Sequence, residues 1–342
     1  MQKVRLRGFL LLMKRNYYIT RNGRLKRQDN TISLEFESGE KKTIPIEDIE
    51  GIYLLGETDL NTKLLNFLAQ QKIPLHVFNY YGYYSGSYYP REHLNSGFII
   101  VNQVEFYKDT GKRLGIAKEF IKSAAHNILC NLRYYKNRKP GLENYISDIN
   151  KIIPKLDETG DISELMAWEG HIRERYYDSF NAILDLKEEF TKRNKRPPDN
   201  ILNALISFGN SLLYATTLGE IYHTQLNPTV SFLHEPGNRR FSLSLDISEI
   251  FKPIIVDHVI FKLMNTNMLG ERDFEKDVNS CYLSENGRKI FLREYDDRLN
   301  TTLKHRGLNR NVSYRHIIRL ECYKLEKHIS NIEEYKAFRA WW

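Results

Sequence analysis

The chain has 342 residues, 41% hydrophobic and 27% charged, enough apolar material for a real core and enough length for two domains; wholesale disorder is excluded. A formal net charge of +8 favours a polyanionic partner, although a basic balance alone does not select a function. Three widely separated cysteines, Cys130, Cys281 and Cys322, form no CxxC or zinc spacing and point to buried thiols in a reducing cytoplasm.

Residues 1–12, MQKVRLRGFLLL, join basic residues to an apolar run too short to span a bilayer, with no small-residue cleavage site after it. They read as a leader from an upstream start codon or an expression remnant. No other stretch reads as a membrane span, so no membrane partner is expected. From residue 17 to about residue 90 the pattern is mainly that of strands. Asn22-Gly23 signals a tight turn between YYIT and RLKR, residues 33–37 alternate, and residues 37–40 turn back toward 42–46. Residues 49–55 and 73–78 read as further strands. Between them Asp59 or Asn61 caps a short helix with Leu64, Leu65 and Leu68 on its apolar face. The tyrosines of YYGYYSGSYYP suit packing or a dimer surface better than base stacking.

Beyond a linker at 95–104 the pattern turns helical. Residues 106–138 carry an apolar face and a basic one (Lys112, Arg113, Lys118, Lys122), the latter solvated or touching phosphate. A short helix at 144–155 precedes the stripe Ile162, Leu165, Ile172, Tyr176, Phe180, Ile183. Glu169 falls inside that stripe, where a carboxylate is costly unless it is paired or ligates a cation. Gly170 beside it lets another backbone approach. The basic loop TKRNKRPPD at 191–199 is a flexible connection or a phosphate contact, and 200–223 is a buried central helix. The expected fold is therefore α+β: a small β-rich N-terminal domain at 13–94, then a larger all-α domain at 105–342.

Residues 226–249, LNPTVSFLHEPGNRRFSLSLDISE, hold the densest set of potential metal ligands. Val230, Phe232 and Leu233 deliver His234 at the edge of packed material. Asp246 and Glu249 stand three apart and share a helical face. One imidazole facing two carboxylates suits magnesium or manganese better than a closed zinc cage, and Glu169 is placed to share the cation. The residues alone leave open a plain helix-start Asp246 and a loop histidine. Pro253, four after Glu249, implies a kink or a helix start. Asp257 reads as a structural or ion-pairing residue. Residues 285–287 read as a turn and 290–303 as a helix. The segment 303–321 concentrates Lys304, Arg306, Arg310 and Arg315, the best candidates for phosphate contact. Two terminal tryptophans need a surface to dock on.

The glutamate of AWEG, the NPxxxFLH segment and the DxxExFKPxxxD segment resemble CRISPR-associated protein 1, the integrase that inserts new spacers. The opening MKRNYYITRNGRLKRQDNTISLE, NYYGYYSGSYYPRE, NALISFGNSLLYA and NVSYRHIIRLECYKL extend the resemblance over nearly the whole chain from Met13. One departure is Leu226-Asn227-Pro228, where the family more often has Gly-Leu-Asp-Pro and Gln225 stands for the glycine.

The resemblance implies a Mg²⁺ or Mn²⁺ ion held by Glu169, His234 and Glu249, with Asp246 supporting the site. It implies a DNA integrase and endonuclease of CRISPR adaptation, an antiviral defence, joining the 3′-hydroxyl ends of a double-stranded spacer precursor to the CRISPR repeat. It further implies homodimers formed through the β-rich domain and bridged by CRISPR-associated protein 2. The rival expectations are a metal nuclease acting on branched or single-stranded DNA without integration, and a non-catalytic DNA-binding scaffold whose acids merely pair with arginines.

Overall fold

The computed structural model describes residues 14–184, 186, 189–237, 241–305 and 307–341, so the expected leader at 1–12 lies outside the described residues. The fold is α+β and the chain divides into two compact units. One holds residues through Tyr80 together with Tyr84–Arg91; the other holds Tyr81–Tyr83 and Glu92–Trp342.

The first unit contains β1 (Arg15–Ile19), β2 (Gly23–Gln28), β3 (Thr31–Phe36), β4 (Lys41–Pro45), β5 (Ile49–Leu54), β6 (Thr58–Asp59), α1 (Thr62–Gln71), β7 (Leu75–Phe78) and β8 (Tyr84–Tyr88). They form two four-stranded sheets, in the orders β1-β5-β7-β8 and β4-β3-β2-β6. β1, β5 and β7 are parallel, and β5, between the other two, is buried along most of its length. Leu25, Ile32, Ile49, Ile52, Leu64, Leu68 and Leu75 form the core. Asn61 caps α1 by accepting from the Leu64 N–H, settling the choice between Asn61 and Asp59.

Asn22-Gly23 is not the expected hairpin turn, because β1 and β2 belong to different sheets. Gly23 is needed for a different reason: a Cβ there would lie 2.4 Å from the Glu35 carbonyl oxygen. Asn22 is engaged elsewhere, accepting from the Glu57 N–H at 2.9 Å.

The second unit is mostly helical. Its helices are α2 (Gly97–Lys108), α3 (Thr110–Lys136), α4 (Glu143–Glu158), α5 (Ile162–Asp178), α6 (Phe180–Ile183), α7 (Ile201–Tyr222), α8 (Ser242–Phe251), α9 (His258–Asn265), α10 (Glu285–Asn300) and α11 (Tyr314–Ile329). It is not all helix. Two hairpins, β9 (Phe274–Asp277) with β10 (Ser280–Leu283) and β11 (Thr302–His305) with β12 (Arg310–Ser313), interrupt it. Most of the expected linker at 95–104 is the first part of α2, capped by Ser96. The single helix expected over 106–138 breaks at Asp109, whose carboxylate caps α3 at the Lys112 N–H. Residues 285–287 are the first turn of α10 rather than a free turn, capped by Ser284. Gly287 serves close packing there, since a Cβ would stand 2.2 Å from the Asp273 carbonyl oxygen.

The expected kink at Pro253 takes the form of a π-helical stretch, Lys252–Asp257, between α8 and α9. Proline has no N–H to return to the Glu249 carbonyl, and the helix widens past the gap. α7 is, contrary to the sequence reading, long and apolar enough to cross a membrane by length and composition. It is the central helix of the unit, buried along nearly its whole length. The chain end docks on its own fold. Ala340 donates its N–H to Asn127 at 2.8 Å, and Asn127 donates in turn to the Ile250 carbonyl of α8 at 2.9 Å. Trp341 rests on Phe338, and all three cysteines are buried and in no disulfide.

Candidate active site

The segment between α7 and α8 is held from three sides. Gln103 of α2 donates to the carbonyls of Asn227 and Val230 at 3.0 and 2.7 Å, and accepts from the Asn227 N–H at 3.0 Å. Arg113 of α3 donates to the Phe232 carbonyl at 2.8 Å and to Glu235 at 2.7 Å, where the Tyr107 hydroxyl also donates. Asp246 of α8, fully buried, accepts the N–H groups of Phe232, Leu233 and His234 at 2.6, 2.9 and 3.0 Å. A carboxylate with that many donors is stabilised as the anion without water. Its Oδ1 also lies 2.8 Å from His234 Nδ1. With the carboxylate oxygen accepting, Nδ1 is the donor and Nε2 is the ring nitrogen left to face a ligand. Burial works against a charge on the His234 ring, but the Asp246 hydrogen bond and charge outweigh it and raise its pKa.

The other half of the site is a chain of alternating charge. Arg173, four after Glu169 on α5, donates Nε to Glu169 Oε1 at 2.9 Å and Nη2 to Glu249 Oε2. Lys252, three after Glu249, donates to Glu249 Oε1 and rides over the Tyr214 ring at 5.2 Å. Burial pushes the Glu249 carboxyl up; Lys252 and Arg173 override it and hold the group well below its usual range. The ordered loop at 191–199 adds Lys195. Arg193 anchors that loop to Asn203 and Ser207 of α7 at 2.9 and 2.8 Å. Burial, then Lys252 and Arg193, lower the Lys195 pKa, while Glu249 and Glu169 oppose the shift.

Glu169 and Glu249 therefore converge on one guanidinium, with the His234 ring inside the field of Glu249. Two carboxylates around a common cation, and an imidazole oriented by a buried acid within the field of one of them, are the residue types a hard divalent ion takes. As arranged, however, Arg173 and Lys252 occupy both Glu249 oxygens. Among the described residues no three of His, Cys, Asp and Glu are grouped to hold a metal outright.

The model of the family "CRISPR associated protein Cas1" matches residues 17–297. The chain belongs to the Cas1 family. The "CRISPR-associated endonuclease Cas1 3" of Thermodesulfovibrio yellowstonii is 56% identical over 96% of this chain and 100% of its own length. The "CRISPR-associated endonuclease Cas1" of Clostridium perfringens is 53% identical over 96% and 100%. A solved structure of a Cas1 protein from Thermotoga maritima matches with a TM-score of 0.85 at 41% identity, covering 95% of this chain and 100% of that one.

In this Cas1-family chain, sequence reasoning missed Arg173 and Lys252 as site residues. Their signal was present: i,i+4 from Glu169 and i,i+3 from Glu249 are ion-pair spacings on a helix. Gly170 gives no close approach, since a Cβ there would meet nothing within 4 Å. The basic face of α3 is consumed by structure: Lys118 and Lys122 bind Asp157, and Arg113 braces the His234 segment. Of the phosphate candidates, Lys304 lies exposed on β11 and Arg310 exposed on β12; Arg315 is half-buried in the first turn of α11. Arg306 lies outside the described residues, as do Arg239 and Arg240.

Asp257 makes no ion pair among the described residues. It is 2% exposed on the π-helical stretch, and its Oδ2 has no hydrogen-bond partner. Burial pushes its carboxyl up to about 7, against the pull of Arg173 and a hydrogen bond from Tyr176. The folded chain thus keeps a proton that the unfolded chain, with a value near 3.8, releases. Stability from this group is full below the unfolded value and falls as pH rises toward the folded one. In EDTA, raising the pH from about 5 to about 7 should cost the wild type about 2 kcal/mol through this residue. Asp257→Asn should flatten that dependence in urea unfolding; equal slopes for the two proteins would refute the assignment.

Proposed function

We propose that this chain is a metal-dependent DNA integrase and endonuclease of CRISPR adaptation. The observation that carries this reading is the convergence of Glu169 and Glu249 on one cation, with a histidine whose Nδ1 is held by buried Asp246 in the field of Glu249. Glu169, Glu249 and His234 Nε2 would hold Mg²⁺ or Mn²⁺. Bound there, the ion would supply positive charge to polarise a scissile phosphodiester and acidify the attacking hydroxyl.

The chain's own residues do the remaining work. Asp246 keeps the His234 ring in one orientation, and the buried setting of Glu249 keeps competing water away. Lys195 brings a further positive charge toward a bound phosphate. The 3′-oxygen of the spacer precursor attacks phosphorus and gives up its proton to solvent, the P–O3′ bond of the repeat breaks, and the departing 3′-oxygen takes up a proton from solvent to become a hydroxyl. No protein nucleophile takes part. Water in place of the 3′-hydroxyl gives hydrolysis at the same site, so nuclease and integrase chemistry share one set of residues.

The partners that accompany this reading are double-stranded DNA, a second copy of this chain joined through the β-rich unit, and CRISPR-associated protein 2. Lys304, Arg306, Arg310 and Arg315 are the proposed backbone contacts, and the reducing cytoplasm is the proposed location, in keeping with three buried thiols in no disulfide. The test is strand transfer into repeat DNA with Mn²⁺, comparing 3′-hydroxyl with 3′-deoxy ends. Joining should occur only with the hydroxyl. Cleavage without joining for both substrates would leave a nuclease and remove the integrase. A second reading has its own support: the pairing of Glu169 and Glu249 with Arg173 and Lys252 also suits a non-catalytic scaffold. That reading predicts no rise in melting temperature with Mn²⁺ and no DNA product.

A further inference from the structure

Arg173 is almost wholly buried, and its three nitrogens have unequal fates. Nε serves Glu169, Nη2 serves Glu249, and Nη1 is buried with no hydrogen-bond partner. Asp257 shows the complementary defect, a buried carboxylate oxygen with no partner. The two belong to one neighbourhood: Asn131 donates both to the Tyr176 hydroxyl on the helix of Arg173 and to the Pro253 carbonyl on the stretch of Asp257, at 3.0 and 2.7 Å, and each group feels the other's charge. An unpartnered donor and an unpartnered carboxyl oxygen, both shut away from water and within each other's electrostatic reach, are unusual in a folded interior. One cation here has two carboxylate destinations, one filled and one vacant.

A divalent ion adds a demand that this arrangement does not meet. An ion taking oxygens from Glu169 and Glu249 would enter a buried space already holding the guanidinium and the Lys252 ammonium. Like charges in contact repel strongly where water cannot screen them. Lys252 lies over the Tyr214 ring at 5.2 Å while it bonds Glu249, a contact it can keep if that carboxylate oxygen is taken. For the guanidinium the vacant place is Asp257, on the π-helical stretch where the widened backbone sets that carboxylate.

We propose, resting on the metal-site reading above, that Arg173 is an exchangeable internal cation. It bridges Glu169 and Glu249 while no divalent ion is bound, and moves onto Asp257 when one takes their oxygens. Arg173 is then a positioning residue, holding the two carboxylates converged until the ion arrives, and Asp257 is its acceptor in the loaded protein. Removing Arg173 removes a competitor of the ion; replacing the Asp257 carboxyl leaves the displaced guanidinium without an anionic acceptor.

The test is Mn²⁺ binding to the full chain, followed by the electron paramagnetic resonance signal of free Mn²⁺, with His234→Ala as the control for the site. Arg173→Gln should tighten Mn²⁺ about tenfold, and Asp257→Asn should weaken it about tenfold while unfolding in EDTA no more easily than the wild type at pH 8. Since Arg173→Gln leaves Glu169 and Glu249 facing each other and is at risk of misfolding, a second measurement uses the wild type itself. The Arg173 Nε–H resonance should shift on Mg²⁺ titration, and should not make the same shift in Asp257→Asn. Unchanged affinities with an unmoved resonance would make Arg173 a fixed strut and overturn the exchange, while His234-dependent Mn²⁺ binding would still uphold the metal site. No His234-dependent binding in the wild type would overturn both.

Discussion

His234→Ala is expected to reduce strand transfer by on the order of a thousandfold, the scale on which one electrostatic or ligating group contributes to phosphate chemistry. The imidazole is the one nitrogen ligand of the proposed set, and its position is fixed by an acid that the substitution leaves in place. Asp246 would still accept the N–H groups of Phe232, Leu233 and residue 234, so the segment should keep its course and the protein its fold. The loss should therefore fall on the rate and on Mn²⁺ affinity, with DNA affinity changed much less. Glu249→Gln is the companion: its amide oxygen can accept from only one of Arg173 and Lys252, its amide nitrogen faces the other, and it supplies no anion. Strand transfer within threefold of wild type in either variant would remove the residue from the site.

Asp246→Ala is expected to be the most damaging change to stability near the site. The carboxylate is wholly buried and takes three backbone N–H groups and the His234 ring. Alanine leaves all of them without an acceptor in a place water does not reach. Each unmet buried donor costs about 1–3 kcal/mol, but partial relaxation of the segment makes the sum less than additive. About 4 kcal/mol is the expected loss, close to that for breaking a buried charged pair. Urea unfolding in EDTA measures it free of any metal contribution. A loss below about 1 kcal/mol would mean that the segment is held by Gln103 and Arg113 alone. Asp246→Asn should also destabilise, because its amide nitrogen faces donors where an acceptor is required.

The two variants separate what a ligand does from what its support does. One should abolish chemistry on an intact fold; the other should lose both. That distinction follows from the geometry of Asp246, whose two oxygens are spent inside the protein. The sequence places Asp246 and Glu249 on one helical face but does not say which of them points at backbone and which at other charges. Aspartate is short enough to meet the N–H groups of a segment pressed against its own helix, and glutamate is long enough to reach Arg173 on α5.

Elsewhere the sequence was legible where the signal was local. The strands and turn between residues 31 and 45, the Asn61 cap, the apolar stripe of α5 and the buried α7 all follow from periodicity and capping chemistry within a few residues. Misreadings came where one residue type serves two ends. Asn22-Gly23 carries the composition of a hairpin turn, yet Gly23 is glycine because the Glu35 carbonyl leaves no room for a Cβ. Gly287 likewise reads as a turn and is a packing contact inside α10. The hairpin of β11 and β12 was hidden because its strands are four residues each, too short for alternation to stand out from the surrounding charge.

By itself, then, the sequence determined the two-part organisation of the chain, the family, and the candidates Glu169, His234, Asp246 and Glu249, since each rests on residue type and short-range spacing. Only the tertiary structure decided which cation each acid meets. Arg173 stands 76 residues from Glu249 and carries it all the same, while Asp257, on the same stretch as Lys252, is left with an empty oxygen. Local pattern says that a buried charge needs a counter-charge; the packing of distant helices chooses which one arrives and which is left waiting.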